Sequence, residues 1–136
     1  MQEKLEPFDD IVIRNAGVGS ENTTMYMQTA EIGSTNRIGS DGKLPVEVVR
    51  LDDDIQEMVT FIKIDIEGSE LEAIEGARNH IINDKSKLAI CTYHNNHHIW
   101  EIPKLMRDLN PDYKLYIRYN GSWSGFAVSE YVTFGV

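Results

Sequence analysis

The sequence predicts an α/β fold built as one domain over residues 1–136. Three observations lead there. Short β-branched runs alternate with stretches of helical periodicity through the C-terminal two-thirds, which implies parallel strands joined by right-handed crossovers. The last two strand-like runs, residues 113–119 and 131–134, are separated by a turn and no helix, which implies a C-terminal antiparallel hairpin with its final strand at or near an edge. A chain of 136 residues that is 41% hydrophobic is enough for one core and too short for two.

The elements follow in order. Residues 11–13 are Ile-Val-Ile, read as a short buried strand that leaves through the turn residues 15–20. Gly17-Val18-Gly19 is read as a tight turn. A phosphate-binding glycine loop opens an amphipathic helix, and the following Glu21-Asn22-Thr23-Thr24 is not helical. Residues 23–27 and 46–51 carry β-branched and aromatic side chains and are expected to pair as a hairpin across a loop at 30–43. Asp52-Asp53-Asp54 reads as a solvated helix start.

The pattern then sharpens. Residues 59–64 (Val-Thr-Phe-Ile-Lys-Ile) form a nearly continuous β-branched run, expected to be a strand buried on both faces. Asp65-Ile66-Glu67-Gly68 is a polar turn, and Ser69 with Glu72 forms an S-x-x-E capping box. Leu71, Ile74, Arg78, Ile81 and Ile82 follow at helical spacing. Residues 87–93 are a further strand and 94–98 a polar turn. Trp100, Ile102, Leu105, Met106 and Leu109 mark a second helix, with Pro103 suited to its first turn. Gly121 and Gly125 frame a turn around Trp123.

Composition excludes several partners. Thirteen basic against 22 acidic residues give a net charge of −9. Nucleic acid and anionic membrane surfaces both require clustered cations, so neither is an expected partner. No apolar run approaches the roughly 20 residues of a membrane span, and residues 1–10 do not resemble a signal segment. A single cysteine, Cys91, forms no internal disulfide, and inside a predicted strand it reads as buried and inert. A cytoplasmic location is expected.

In open α/β sheets ligands bind beyond the carboxyl ends of the strands. Two polar loops occupy that place here, one after the Phe61 strand and one after the Leu88 strand. If the strands are neighbours, Asp65, Glu67 and His94 converge on one cleft. Carboxylates beside an imidazole can hold a divalent cation or deprotonate a hydroxyl group. Asp65 and Glu67 could equally serve the following helix through its dipole. Glu70 and Glu72 read as first-turn helix residues, and His97 and His98 as solvated loop residues. His94 and His98 are four apart, yet no Cys partner or H-E-x-x-H pattern supports a zinc site, so no metal is assigned.

From Phe61 to Leu71 the chain reads F-I-K-I-D-I-E-G-S-E-L. This block resembles the FkbM-type family of S-adenosylmethionine-dependent methyltransferases, which carries a similar F-I-K-x-D-x-E-G-x-E run. The likeness continues through Glu75-Gly76-Ala77, Tyr93-His94 and Trp100-Glu101-Ile102-Pro103, and covers most of the chain. The resemblance implies a Rossmann-like methyltransferase sheet and methyl transfer to a hydroxyl of a sugar or natural product. It places Asp65, Glu67 and His94 at the methyl-transfer site, with His94 or Asp65 as base or hydroxyl orienter and Glu67 in support. Asn15 and Ala16 would stand near the adenine of S-adenosylmethionine.

The family's opening strand, glycine-rich cofactor loop and ribose-binding acid have no counterpart in these 136 residues. The expected sheet is therefore incomplete at its N-terminus, and cofactor binding by the chain is expected to be poor. An exposed inner strand would be a template for homo-oligomer formation. The acceptor would be a small-molecule or glycan hydroxyl. Two other functions stay open on the residues: a non-catalytic α/β assembly module, and a metal-dependent hydrolase using Asp65, Glu67 and His94.

Overall fold

A computed structural model describes residues 11–28, 37–39, 44–120 and 130–136. It is a mixed α/β structure with two four-stranded sheets. The first contains β1 (Gly17–Val18), β2 (Thr23–Gln28), β3 (Arg37–Gly39) and β4 (Leu44–Val49), in the order β1-β4-β2-β3. The second contains β5 (Phe61–Ile64), β6 (Lys87–Cys91), β7 (Leu115–Asn120) and β8 (Glu130–Gly135), in the order β5-β6-β8-β7. The helices are α1 (Leu51–Asp54), α2 (Glu70–Gly76) and α3 (His98–Leu109), with a π-helical turn at His80–Asp84. No helix among the described residues is long and apolar enough to cross a membrane.

The expected hairpin of 23–27 with 46–51 forms as β2 against β4, with Met25 opposite Val46. Within the expected loop at 30–43 the chain makes a further strand, β3, which pairs antiparallel with β2. β4 stops at Val49, and Leu51 belongs to α1. Gly17 and Val18 are not a turn but a strand, pairing parallel with Val48 and Val49. Residues 11–13 form no strand. Val12 is 94% exposed and Ile11 and Ile13 are exposed beside it, because no sheet or helix among the described residues covers them. The segment is held at Arg14, whose guanidinium meets Asp54 and Glu47, each at 3.0 Å.

The second sheet carries the core. β5 and β6 run parallel with Ile64 opposite Ile90, so their carboxyl ends lie side by side. The crossover between them is α2 and the π-helical turn. β8 is antiparallel to both β6 and β7, one strand in from the β7 edge, as the hairpin pattern implies. Ile62, Ile64, Ile74, Ile90, Ile102 and Met106 form the centre of the core. Each fully buried side chain of this size contributes about 1.5–3 kcal/mol.

β5 is buried on one face only. Ile62 and Ile64 point inward, while Phe61 is 55% exposed and Lys63 is also exposed. Its second edge has no strand partner among the described residues. β6, flanked on both sides, is the strand buried continuously from Leu88 to Cys91. Pro103 sits in the second turn of α3, past the first turn that suits proline. The helical donor it removes would have served Ile99, an exposed residue. The turn expected around Trp123 lies outside the described residues.

Two helix starts depart from their expected capping. Ser69 makes no side-chain cap to α2, so the S-x-x-E pattern does not form a capping box. Asp52 is not solvated. Its side chain is 1% exposed and accepts hydrogen bonds from the Asn79 and His80 amides at 3.0 and 3.3 Å. The three aspartates at 52–54 thus include one that ties α1 to the start of the π-helical turn.

His80 and Asp84 close the π-helical turn through a 2.7 Å contact from Nδ1. Burial pushes the imidazole down, but Asp84, the Leu51 carbonyl and Asp52 outweigh it, so His80 lies above its ordinary 6.5. Asp84 is held below its ordinary 3.8, chiefly by the Val59 amide and then by His80. The His80 contribution is complete below pH 6.5 and is lost as pH rises through the raised value. The urea midpoint should therefore fall between pH 6 and pH 9, and His80→Gln should flatten that fall. An equal slope in both proteins would contradict the assignment.

Gly76 packs α2 against the end of β1. A Cβ there would lie 2.0 Å from the Gly19 carbonyl oxygen, which is backbone and cannot swing aside. Gly76→Ala should lower stability by about 3 kcal/mol, or roughly 10 °C in Tm by thermal unfolding. An unchanged Tm would show that this approach is not tight.

Candidate functional site

The chain leaves β5 at Ile64 and turns through residues 65–69 before α2. Glu67 adopts φ 61° and Gly68 φ 109°, both in the left-handed region. A non-glycine residue there is held against its preference at about 1–3 kcal/mol. The turn directs the amides of Ile66 and Gly68 at one acceptor, Glu70 Oε1, at 3.1 and 3.2 Å.

Glu70 opens α2 with a side chain that is 0% exposed. A buried carboxylate needs donors, because the lost hydration of its charge is otherwise several kcal/mol. Two amides supply part of this, and His94 supplies more. His94 lies beyond β6, and the parallel register of β5 and β6 sets it beside the 65–69 turn. Its Nδ1 is 2.8 Å from Glu70 Oε1. His98, in the first turn of α3, brings its own Nδ1 to 3.1 Å from Glu70 Oε2.

With Nδ1 donating to Glu70, His94 presents the lone pair of Nε2 on its other side. The His94 side chain is 6% exposed, and Nε2 has no hydrogen-bond partner among the described residues. It faces Asp65 Oδ1 and Glu67 Oε2, each at 3.6 Å. Asp65, Glu67 and His94, which the sequence places at the strand ends, therefore meet in one cluster. An imidazole held in this way beside two carboxylates can orient a hydroxyl group or exchange a proton with it.

The environment of Asp65 keeps it ionised. Burial raises its pKa, but hydrogen bonds with Cys91, Lys63 and Tyr93 together bring it below its ordinary value. Lys63 Nζ stands 3.3 Å away, and Tyr93 donates its hydroxyl at 3.1 Å. Tyr93 is pushed upward by burial and by Asp65. Burial, with Asp65 beside it, also lifts the Cys91 thiol to about 12, consistent with an inert cysteine.

Glu67 and His94 form part of the wall of a cleft of about 690 Å³ between the two sheets, whereas Asp65 is not part of that wall. The opposite wall is Ala16 to Glu21 with Thr23 and Met25, and Glu72, Ser69 and Asn95 lie on the near side. Ala16 thus faces the cleft, whereas Asn15 is not part of its wall. Among the described residues, no group of three or more His, Cys, Asp or Glu is arranged to hold a metal ion. His94 and His98 both bring Nδ1 to Glu70.

The sequence does not reveal Glu70 or His98 as members of the cluster. Glu70 looks like any first-turn helix acid, and His98 like a solvated loop residue, yet both are buried. Their signal is the i, i+4 spacing of His94 and His98 together with an acid in the facing turn.

The family model described as "Methyltransferase FkbM domain" matches residues 5–121. No curated protein matches the chain. The fold is similar to the crystal structure of methyltransferase FkbM from Methylobacillus flagellatus KT, with TM-score 0.75 and 25% sequence identity. That similarity covers 98% of this chain and 31% of the other, so the chain spans about a third of the length of the solved protein. The F-I-K-I-D-I-E-G-S-E-L block, the parallel β5–β6 pair and the His94 cluster all lie within the matched residues, and the chain belongs to the FkbM methyltransferase family.

Proposed function

We propose that this chain carries the acceptor side of an S-adenosylmethionine-dependent O-methyltransferase site, acting on a hydroxyl of a small molecule or glycan. The observation that carries the reading is His94 Nε2, buried, unpartnered and fixed from behind by Glu70. An acceptor hydroxyl in the cleft would give its proton to Nε2, and Asp65 and Glu67 would stabilise the imidazolium so formed. The oxygen is then the nucleophile. S-adenosylmethionine supplies the methyl group as an electrophile on a cationic sulfonium.

The residues present fit the sulfonium end of that cofactor. Glu21, Glu67 and Glu72, from both walls, give the cleft an acidic lining. For the adenine end the chain offers Ala16 alone of the two residues expected there. Affinity is therefore expected to be weak and to depend on the charge of the sulfonium.

Calorimetric titration tests this directly. S-adenosylmethionine should bind more tightly than S-adenosylhomocysteine, whose sulfur is uncharged, by roughly threefold to tenfold for carboxylates near a partly exposed cation. Glu67→Gln should shrink that ratio. No detectable heat with either ligand at millimolar concentration, or equal affinity for the two, would overturn the reading.

A further inference from the structure

The Glu70 carboxylate is divided between two histidines. Oε1 accepts from Ile66, Gly68 and His94. Oε2 faces a single group, His98 Nδ1 at 3.1 Å. The pair is at ion-pair distance but off the line of a hydrogen bond, so neither atom has a hydrogen-bond partner among the described residues. Both side chains are buried, at 0% and 3% exposure. In so dry a place each polar group depends on the other, because an orphaned donor or acceptor is strongly unfavourable.

We propose that His98 is a positioning residue, which holds Oε2 of Glu70 from the first turn of α3 and thereby sets the orientation and proton affinity of His94. The proposal rests on His94 being the proton acceptor of the site. His98 does not reach the cleft wall, where His94, Glu67 and Asn95 stand. Its influence passes through Glu70. By sharing the carboxylate charge, His98 limits how much of it His94 feels. Without that donor, the whole charge of Glu70 acts on His94 and raises its proton affinity. The other groups facing His94 are Asp65 and Glu67 at Nε2 and the Tyr93 ring, whose centroid is 4.0 Å from the imidazole. None of them touches His98 in this way, so they remain constant across His98 variants.

The test is the titration of the histidine side chains by nuclear magnetic resonance on the whole chain, with thermal unfolding as a control for folding. His98→Leu removes the donor, and His98→Asn restores an amide nitrogen close to the place of Nδ1. The His94 midpoint should rise by about half a pH unit or more in His98→Leu and return toward wild type in His98→Asn. Glu70→Gln should move it the opposite way. If His98→Leu does not fold, His98→Gln, whose amide sits at the place of Nε2, takes its role in the comparison. An unchanged His94 midpoint in a folded variant lacking the Nδ1 donor would overturn the proposal. This readout needs neither cofactor nor acceptor, so it succeeds or fails independently of methyl transfer.

Discussion

A single buried carboxylate organises this molecule's working end. Glu70 is fully enclosed, so its charge must be met by donors brought from elsewhere in the chain. The two amides come from the turn after β5 and one imidazole from the loop after β6, while His98 at the start of α3 stands 3.1 Å from the second oxygen. Three segments thereby converge on one pair of oxygens. The left-handed backbone at Glu67 and Gly68 lies in the turn that brings both amides to this acceptor.

The division of labour among the acids follows from their surroundings. Glu70, dry and donor-rich, is structural and electrostatic. Asp65 and Glu67 are partly exposed, at 38% and 44%, and stand where a ligand could meet them. His94 lies between the two sets, with Nδ1 committed to Glu70 and Nε2 buried against Asp65 and Glu67, without a hydrogen-bond partner among the described residues. That polarity is what a general base requires, with its proton-accepting atom defined by the hydrogen bond behind it. Membership of the FkbM family and the similarity to a solved FkbM methyltransferase give this polarity its chemical context.

Much of the second sheet was legible in the sequence, because burial there leaves a pattern. The β-branched run before Asp65, the helical stripe through Ile74 and Ile81, and the apolar run of β6 each report a position against the core. The site residues Asp65, Glu67 and His94 were legible because they follow strands, where open sheets place ligands. Other features were not. Ile11-Val12-Ile13 has the composition of a buried strand, but composition does not say whether another element covers it. Phe61 and Lys63 alternate with inward isoleucines, so burial on one face was hidden by an apolar residue on the exposed side. Glu70, Asp52 and His98 are polar residues whose burial depends on distant partners, and no local pattern records those partners.

The claim that Glu70 holds the site together concerns two amides above all. Hydrogen exchange of Ile66 and Gly68 in wild type and in Glu70→Ala measures it most directly. Loss of the carboxylate should speed exchange at these two amides by about 10- to 100-fold, while the β6 amides from Leu88 to Cys91 keep their protection. Equal protection of Ile66 and Gly68 in both proteins would contradict a turn organised by Glu70.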